Sequence, residues 1–560
     1  MRPDHVHRPW TGRAIAAVAL LVAGVSLAAC GRELSTAEAF RTPLPTATAV
    51  PPTPTPTPTP LPTATPIPTP TPAPTATPTP EPVSEETASA PQCGLRAPAV
   101  LPPVVEDLVV DVRAVDDPQA QTWPEPLQPY VDAVAAAAGP FRFEAATIVL
   151  VDAQGMAEQL EIDIPDIAQL PADVADAVRR YDDVHRALGI ATIDFDVLES
   201  NRATALQIEG LYDQARHRIL LRSETFDDEL DLDQQALLVH EIVHAWQGPS
   251  RVRELAGLSI DQTVAGALIE GEAERIASEW RTQQPQPSQS GGPGETGETG
   301  ETGEAPGGER QAASLIAETQ TRYALGRRLH VALDAVGGVD ALLGAATSGE
   351  VRLIDGGALV DPYGWVDGAQ SPVAILLAPT IEGVAPLPEI TPPMSAPQWL
   401  QVFASTSDFP VALDAARAVA STSATTVWAD ATDTTCVAVQ LAGEAERLEP
   451  ALQAWQAAAP ATRTVIPSPE AADGGPQTAL LQACDPGAAA VPIPLATADN
   501  AVRSVGQIID GEAWALDRSQ PRLFGRCRVQ HLYGVGIIGP QSTTEELTRA
   551  LDDLDPETCA

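Results

Sequence analysis

One stretch, residues 237–247, restricts the fold of this 560-residue chain more than any other, because it contains His240-Glu241-Ile242-Val243-His244. In an α-helix, residues four apart lie one turn apart on the same face, so both imidazoles project to one side. Leu238 and Ile242 then lie on a separate apolar face that can pack against a core. Two histidines at this spacing can bind one zinc ion, and Glu241 can accept a proton from a water that the zinc activates. The stretch therefore predicts a helical zinc site.

Sequence signals on both sides of this stretch support the helix. Acidic residues at 227–233 suit its N-terminus, where carboxylates cap free N–H groups and interact favourably with the helix dipole. Gly248-Pro249 predicts its end, because glycine is common just past a helix and proline cannot continue one. Before the helix, residues 208–213 and 218–222 have the pattern of a hairpin or of a turn that leads into a strand. We expect the strand at 218–222 to offer an edge along which an extended peptide can pair.

A zinc site needs another protein ligand, and residues 268–274, Leu-Ile-Glu-Gly-Glu-Ala-Glu, carry three glutamates on a second helix predicted at 262–282. Glu270 and Glu274 share a helical face, whereas Glu272 points about 200° away from Glu270. Apolar residues flank Glu270, so we assign it as the third ligand rather than to a solvated surface. Glu274 fits two roles equally well: a solvated position, or an acceptor for the N–H of a metal-bound imidazole.

These motifs resemble those of the gluzincin zinc metallopeptidases, in which a His-Glu-x-x-His helix is followed by a glutamate ligand on a second helix. A closer resemblance is to a group of uncharacterised bacterial exported lipoproteins, and it spans about residues 170–345. It is carried by Gly-Leu-Tyr-Asp at 210–213, His-Glu-Ile-Val-His-Ala-Trp-Gln at 240–247, Glu-Gly-Glu-Ala at 270–273, Tyr-x-x-Gly at 323–326 and Gly-Gly at 337–338.

The resemblance implies a zincin-like metallo-domain with a helical active-site core. It also implies that His240, His244 and Glu270 bind Zn²⁺, that Glu241 is the general base, and that an acidic residue, here Glu274, follows the third ligand by four positions. The spacing from His244 to Glu270 is longer than in the thermolysin-like branch of the family.

Peptide hydrolysis also requires a hydrogen-bond donor to the oxyanion that develops on the scissile carbonyl. Tyr323 and His330 are the side chains that the sequence offers for this role. For each of them, packing without any catalytic role is the alternative.

The N-terminal segment predicts export and lipid anchoring. Arginines precede a short apolar run, residues 14–26, which is too short to span a bilayer. The following Leu-Ala-Ala-Cys resembles the bacterial lipobox, so residues 1–30 are a predicted lipoprotein signal peptide and Cys30 is the predicted lipidation site. An ordinary secretory signal with an incidental cysteine is the alternative. Proline and threonine dominate residues 42–82, so residues 31–92 are a predicted disordered stalk.

Charge, helix and strand patterns, and cysteine spacing bound the rest of the chain. A net charge of −42 argues against nucleic acid and anionic membrane surfaces as partners, because both repel an acidic protein. The patterns predict an α+β fold, with a metallo-domain at 93–385 that includes a disordered loop at 283–311, and a smaller α+β unit at 395–560. Within that unit, residues 425–441 and 529–538 have strand patterns. The predicted local disulfides, which leave Cys93 over, are Cys436–Cys484 and Cys527–Cys559.

Together these features predict a membrane-anchored, extracytoplasmic zinc peptidase that hydrolyses peptide bonds in peptide or protein substrates. The alternative is a catalytically inactive, metal-binding surface lipoprotein that serves as a binding or scaffold module. Glu241 distinguishes the two, because a structural zinc site needs ligands but no general base.

Overall fold

The computed structural model of the chain describes residues 127–139, 146–152, 155–156, 167–191, 195–199, 208–213, 218–223, 230–259, 261–284, 317, 319–347, 353–368, 376, 378–387, 394–419, 423–467, 477–487, 496–555 and 557–559. All of these residues belong to one compact unit. The predicted signal peptide with Cys30, the stalk, Cys93 and almost all of the loop predicted at 283–311 lie outside the described residues and stay predictions.

Helices and short strands alternate in the first part of the described chain. In order, they are α1 (Gln128–Ala138), β1 (Thr147–Val151), α2 (Ala172–Leu188), β2 (Gly210–Asp213), β3 (Arg218–Arg222), α3 (Leu232–Ala256), α4 (Gln262–Gln283), α5 (Gly326–Asp334) and α6 (Gly338–Thr347). A π-helical turn, Thr321–Leu325, leads directly into α5. The second predicted helix, at 262–282, is thus confirmed as α4 and ends one residue later than expected.

Helix α3 begins as the sequence predicts and consists of two helical segments joined at a kink. The Asp231 side chain accepts hydrogen bonds from the backbone N–H groups of Asp233 and Gln234 at 2.8 and 2.9 Å, and the Gln234 side chain accepts from the N–H of Asp231 in return. Gly248 interrupts the helix with φ 52° and ψ −178°, a conformation that favours glycine. The helical segment that carries the two histidines therefore ends at Gly248, as predicted, and a second helical segment begins at Pro249, because a proline is tolerated in the first turn of a helix.

Helix α4 packs against α3 and crosses α5 at unusually close range. Its N-terminus is capped by Asp261, whose carboxylate accepts from the N–H of Thr263 at 2.9 Å. At the crossing, a Cβ added to Gly271 would lie 2.2 Å from the carbonyl carbon of Gly326, so the two helix backbones are in contact. Any larger side chain at Gly271 or Gly326 would force the helices apart.

The strands of the first part form a three-stranded sheet in the order β1–β3–β2. Strand β3 pairs in parallel with β1 on one side and antiparallel with β2 on the other. The hairpin predicted at 208–222 is thus confirmed, but the prediction that strand 218–222 offers a free edge is wrong, because both of its edges are hydrogen-bonded. Among the described strands of this sheet, β2 is an edge, and it packs on α3.

In the second part of the described chain, helices precede and follow the strands in sequence. The strands form a four-stranded antiparallel sheet with the order β4–β5–β7–β6. The elements of this part in order are α7 (Gly357–Val360), α8 (Pro362–Val366), α9 (Ala396–Ala404), α10 (Phe409–Ala418), β4 (Ala424–Ala429), β5 (Thr435–Gly443), α11 (Ala445–Ala458), β6 (Arg463–Pro467), β7 (Gln477–Cys484), α12 (Ala496–Asp517), α13 (Arg522–Gly534) and α14 (Thr544–Asp553).

Two strand predictions in this part are wrong. The strand predicted at 425–441 is a hairpin, because Asp430 turns the chain by accepting from the N–H groups of Thr432 and Thr434 at 2.7 and 3.0 Å. The strand predicted at 529–538 is mostly helix α13, whose Val529 and Leu532 are buried three positions apart, as one face of a helix requires. Its apolar residues thus follow a helical period rather than strand alternation.

Both predicted disulfides are confirmed. One joins Cys436 on β5 to Cys484 on the neighbouring strand β7, and the other joins Cys527 on α13 to Cys559. The predicted α+β class is also confirmed. No helix among the described residues is long and apolar enough to cross a membrane. Side chains across the domain boundary predicted at 385–395 bond to each other, as Arg328 does with Asp510, and the boundary itself stays a prediction.

Candidate metal centre

Three buried side chains from α3 and α4 converge on one point. Nε2 of His240 lies 3.3 Å from Oε2 of Glu270, and Nε2 of His244 lies 3.1 Å from the same oxygen. The two Nε2 atoms are 3.0 Å apart. We call these three residues the metal cluster. Within the described part of the chain, they are the group of His, Cys, Asp and Glu side chains whose donor atoms can meet on one ion.

The spacing of these atoms fits a zinc ion. Ligands about 2.0–2.1 Å from a tetrahedral zinc are about 3.3 Å from one another, close to the three distances between these atoms. Lone pairs that meet at such a distance repel each other unless a proton or a metal ion lies between them. Two imidazole nitrogens and one carboxylate oxygen also form a ligand set that zinc commonly binds.

A hydrogen-bond network fixes the tautomer of His244. Its Nδ1 lies 2.8 Å from Oε1 of Gln247, which can only accept, so Nδ1 carries the proton and Nε2 presents its lone pair to the cluster. The Gln247 amide cannot rotate freely, because its Nε2 donates to the carbonyl of Ile269 at 2.9 Å and to Glu272 at 3.0 Å. Gln247 is fully buried. It therefore orients His244 in the way that metal-bound histidines usually require.

Glu272 links this network to the surface. Its carboxylate is buried and paired with Arg251, which also donates to the exposed Asp340 at 2.6 Å. The helical period correctly predicts that Glu272 points away from Glu270. The sequence analysis missed, however, that Glu272, Gln247 and Arg251 support the site. The available signal was a polar Gln247 three positions after His244 within an otherwise apolar helical stretch.

The second imidazole is held differently. Nδ1 of His240 lies 3.6 Å from Oε2 of Glu274, an ion-pair distance, so Glu274 occupies the position that the sequence offered as one of its two roles. The ring of Tyr323 stacks on that of His240, with centroids 5.5 Å apart and planes 20° from parallel. Tyr323 therefore lies beside the metal cluster, on a π-helical turn, a feature frequent at functional sites.

The electrostatics of the site favour a bound cation. Burial lowers the pKa of His240, but hydrogen bonds to Glu270 and Glu274 and the charge of Glu241 outweigh it, and the pKa rises to about 10. Burial likewise raises the pKa of Glu270, but His244 and His240 together hold it well below its usual range. Without a metal ion, protons thus supply the positive charge that the carboxylates require, and a divalent ion can replace them.

Glu241 lies next to the cluster but does not join it. Its side chain is buried, and its Oε2 atom has no hydrogen-bond partner. Burial raises its pKa, which the two histidines and the backbone N–H of Tyr212 partly offset. A Cβ at Gly210 on β2 would lie 3.2 Å from Cγ of Glu241, so the glycine leaves room for this carboxylate. A buried carboxylate oxygen without a partner is poised to accept a proton.

His330, the other oxyanion candidate, is engaged elsewhere. Its Nε2 donates to the backbone carbonyl of Leu268 at 2.7 Å, and burial lowers its pKa, which favours the neutral ring. The contact ties α5 to α4, a packing role, and the prediction of an oxyanion donor is left to Tyr323.

Comparison with family models, with curated proteins and with solved structures finds no match to this chain.

Proposed function

We propose that this chain is a zinc-dependent peptidase of the gluzincin type, with a zincin-like metallo-domain. The observation that carries the proposal is the convergence of His240, His244 and Glu270 at ligand spacing beside a buried carboxylate, Glu241, that has an unbonded oxygen. A site built only to hold a structural ion has no use for such a carboxylate, because structural zinc is surrounded by its ligands alone.

The roles of the protein groups follow from their positions. Zinc bound to the cluster would supply a Lewis acid that polarises a peptide carbonyl and acidifies water. Glu241 then takes the proton from the attacking water at its unbonded Oε2 and returns it to the leaving amine. Tyr323, stacked on His240, is the proposed donor to the oxyanion.

The substrate would bind along β2 rather than β3. Backbone groups of Glu209 bond to β3, since its carbonyl accepts from the N–H of Arg222 at 2.8 Å. In an antiparallel pair, bonding alternates along the strand, so the backbone groups of Gly210 and Tyr212 face the other way, toward α3 and Glu241. An extended peptide paired with this side of β2 would pass beside the cluster. A lipid anchor at Cys30 and an extracytoplasmic location complete the proposal, and they rest on residues 1–30 of the sequence.

Zinc content and a Glu241 variant test the function. The full chain should bind one zinc ion, measured by mass spectrometry of the metal, and should hydrolyse members of a mixed peptide library. We expect Glu241→Gln to keep the zinc and to lower kcat by about 10²- to 10⁴-fold, because it retains the shape of the side chain but cannot accept the proton. Glu279→Gln, a change of the same kind on the exposed side of α4, should leave both zinc content and hydrolysis unchanged.

One zinc ion per chain without hydrolysis of any library member would refute the peptidase. It would leave the metal-binding scaffold, in which the cluster serves stability or partner binding.

A further inference from the structure

The contact between Gly271 and Gly326 brings two helix faces together at the metal centre. Because a Cβ on Gly326 would lie only 2.2 Å from the carbonyl oxygen of Ala267, α4 and α5 cross with their backbones in contact. On α4, Glu270 and Glu274 flank this crossing. On the other helix, Tyr323 precedes the crossing by three residues and Arg327 directly follows it.

Arg327 is half-buried, and within the described part of the chain its side chain makes no hydrogen bond or ion pair. Its neighbour Arg328, in contrast, donates to both carboxylate oxygens of Asp510 at 2.8 and 2.6 Å. Burial lowers the pKa of Arg327, the charge of Arg328 adds to this effect, and the carboxylates of Asp510 and Glu274 only oppose it from a distance. Arginine nevertheless stays charged in proteins.

The position of Arg327 relates it to the metal cluster. It follows Tyr323 by four residues, about one helical turn, so the two side chains project from the same side of their helix. Tyr323 stacks on His240. The charge of Glu274, which faces the same histidine, acts on Arg327 by raising its pKa. A cation with five unused donors therefore lies next to the place where a substrate would bind.

The overall charge of the chain makes this cation important. With a net charge of −42, the protein surface repels anionic peptides, so a carboxylate can approach the site favourably only if a local cation binds it. A guanidinium matches a carboxylate with two parallel hydrogen bonds, and a half-buried one without a partner gains most from such a ligand.

We propose that Arg327 binds a carboxylate of the substrate beside the metal centre, so that the enzyme prefers peptides with a free C-terminus or an acidic side chain at that position. The inference rests on the proposed peptidase function for its meaning, but the binding that it predicts does not require turnover.

Binding of small blocked dipeptides to the full chain, measured by calorimetry with and without zinc, tests it. Acetyl-Ala-Ala is compared with acetyl-Ala-Ala-amide for the C-terminal carboxylate, and acetyl-Ala-Glu-amide with acetyl-Ala-Gln-amide for the side chain. We expect the carboxylate form to bind about 10- to 100-fold more tightly in one of the two pairs, and that pair identifies the source of the carboxylate. Arg327→Gln should abolish the preference while affinity for the neutral peptide changes by less than about twofold.

Two further variants complete the design. Arg327→Lys keeps the charge without the planar fork, so the preference should fall at least about threefold but persist. Arg549→Gln removes a cation from the exposed side of α14 and should leave the preference intact. Zinc content and thermal unfolding of each variant show whether it is folded.

Equal affinities within both pairs in the unchanged protein would overturn the proposal, whether or not Arg327→Gln folds. An equal loss of affinity for charged and neutral peptides in a folded Arg327→Gln variant would do the same. Failure of the peptidase function has a different signature, namely absent hydrolysis with the carboxylate preference still present.

Discussion

Among the residues that the structure describes, two clusters of buried charge differ in a way that shows what each is for. The metal cluster holds two histidines and a glutamate whose electron-pair donors all point at one another. We call the second one the arginine cluster. It joins the N-terminus of α8 to α10, α12 and α13, and its members are Asp361, Arg417, Glu512, Arg522 and Arg526.

In the arginine cluster each charge is met by its opposite. Asp361 lies 3.1 Å from Arg526 and 3.2 Å from Arg522, and Arg526 also bonds directly to Glu512. Burial raises the pKa of Asp361, but the three arginines outweigh it and hold it below its usual range. Arg417 additionally donates to the carbonyl of Val360. Each charged group of this cluster thus has an oppositely charged partner within the protein, including Oε2 of Glu512, which makes no hydrogen bond but lies 3.6 Å from Arg522.

The contacts of the metal cluster are of a different kind. Its two ring nitrogens and its carboxylate oxygen face one another and are acceptors unless protonated, so a proton or a metal ion between them balances the cluster. A buried cluster of acceptors indicates a binding site, whereas a buried cluster of matched ions indicates a structural joint. This reasoning assigns stability to the arginine cluster and chemistry to the metal cluster.

Breaking the arginine cluster should produce the largest effect on stability. Asp361 is the shared counter-charge of three arginines, so Asp361→Asn leaves them with Glu512 alone and should lower the free energy of unfolding by about 3 kcal/mol. Urea unfolding of the zinc-free chain measures the change, and zinc content should stay the same. Asp414→Asn, which breaks an exposed pair with Arg447, is the control and should cost less than about 1 kcal/mol.

A result in which Asp361→Asn loses zinc while its stability is unchanged would reverse the assignment of the two clusters. It would mean that the helices joined by these arginines hold the metal ligands in place.

Breaking the support of the metal cluster should have a smaller effect, confined to zinc. Gln247→Leu fills a similar volume but removes the acceptor for Nδ1 of His244, so zinc affinity should fall about 10- to 100-fold. Competition with a chromogenic chelator gives the affinity. Gln453→Leu, on the exposed side of α11, removes a glutamine whose partner is Glu449 and should leave zinc affinity unchanged. Equal affinities for Gln247→Leu and the unchanged protein would show that the histidine needs no orienting partner.

Asp182, a buried carboxylate outside both clusters, sharpens the comparison, because no arginine among the described residues lies at bonding distance from it. Burial raises the pKa of Asp182 to about 8, although its Oδ1 accepts from the N–H of Val197 at 3.1 Å. An unfolded aspartate titrates near 4, so between about pH 4 and pH 8 the folded chain holds a proton that the unfolded chain has released. This contribution therefore lowers the stability of the protein as pH rises through that range.

Asp182→Asn keeps the acceptor and removes the ionisation. The variant should match the unchanged protein near pH 4 and exceed its free energy of unfolding by at least about 1 kcal/mol at pH 8, as measured by urea unfolding. Asp176→Asn, an exposed change on the same helix, should show no such difference. Parallel curves for Asp182→Asn and the unchanged protein across this pH range would place an unrecognised cation near Asp182.

Much of the candidate site could be predicted from the sequence, because its determinants are local. The four-residue spacing of His240 and His244 places both on one face of any helix, and the acidic cap at Asp231 marks where that helix starts. The disulfides followed from the same kind of information, since each pair lies within fifty residues and joins neighbouring elements. Zinc itself, peptide hydrolysis and the lipid anchor stay predictions.

The errors share a different cause. Residues 529–538 look like a strand because their apolar residues can be read with either period, and only burial of Val529 and Leu532 on one face decides for a helix. Strand β2 rather than β3 is an edge of the sheet, because β1, which is far away in sequence, pairs with β3. Pairing partners are chosen by long-range packing, which a local pattern does not contain.

The sequence by itself determined the chemistry of the metal cluster, because residue type and helical spacing are properties of a few adjacent residues. Only the tertiary structure decided that Glu270, which the sequence offered as a ligand, meets both histidines, and that Gln247 and Glu272 support them. Those roles depend on the register between α3, α4 and α5. The contact of Gly271 with Gly326 fixes the register of α4 against α5, and the hydrogen bonds of Gln247 to Ile269 and Glu272 tie α3 to α4. Helical periodicity is set by the backbone of one segment, whereas the register between helices is set by side chains that meet from distant parts of the chain.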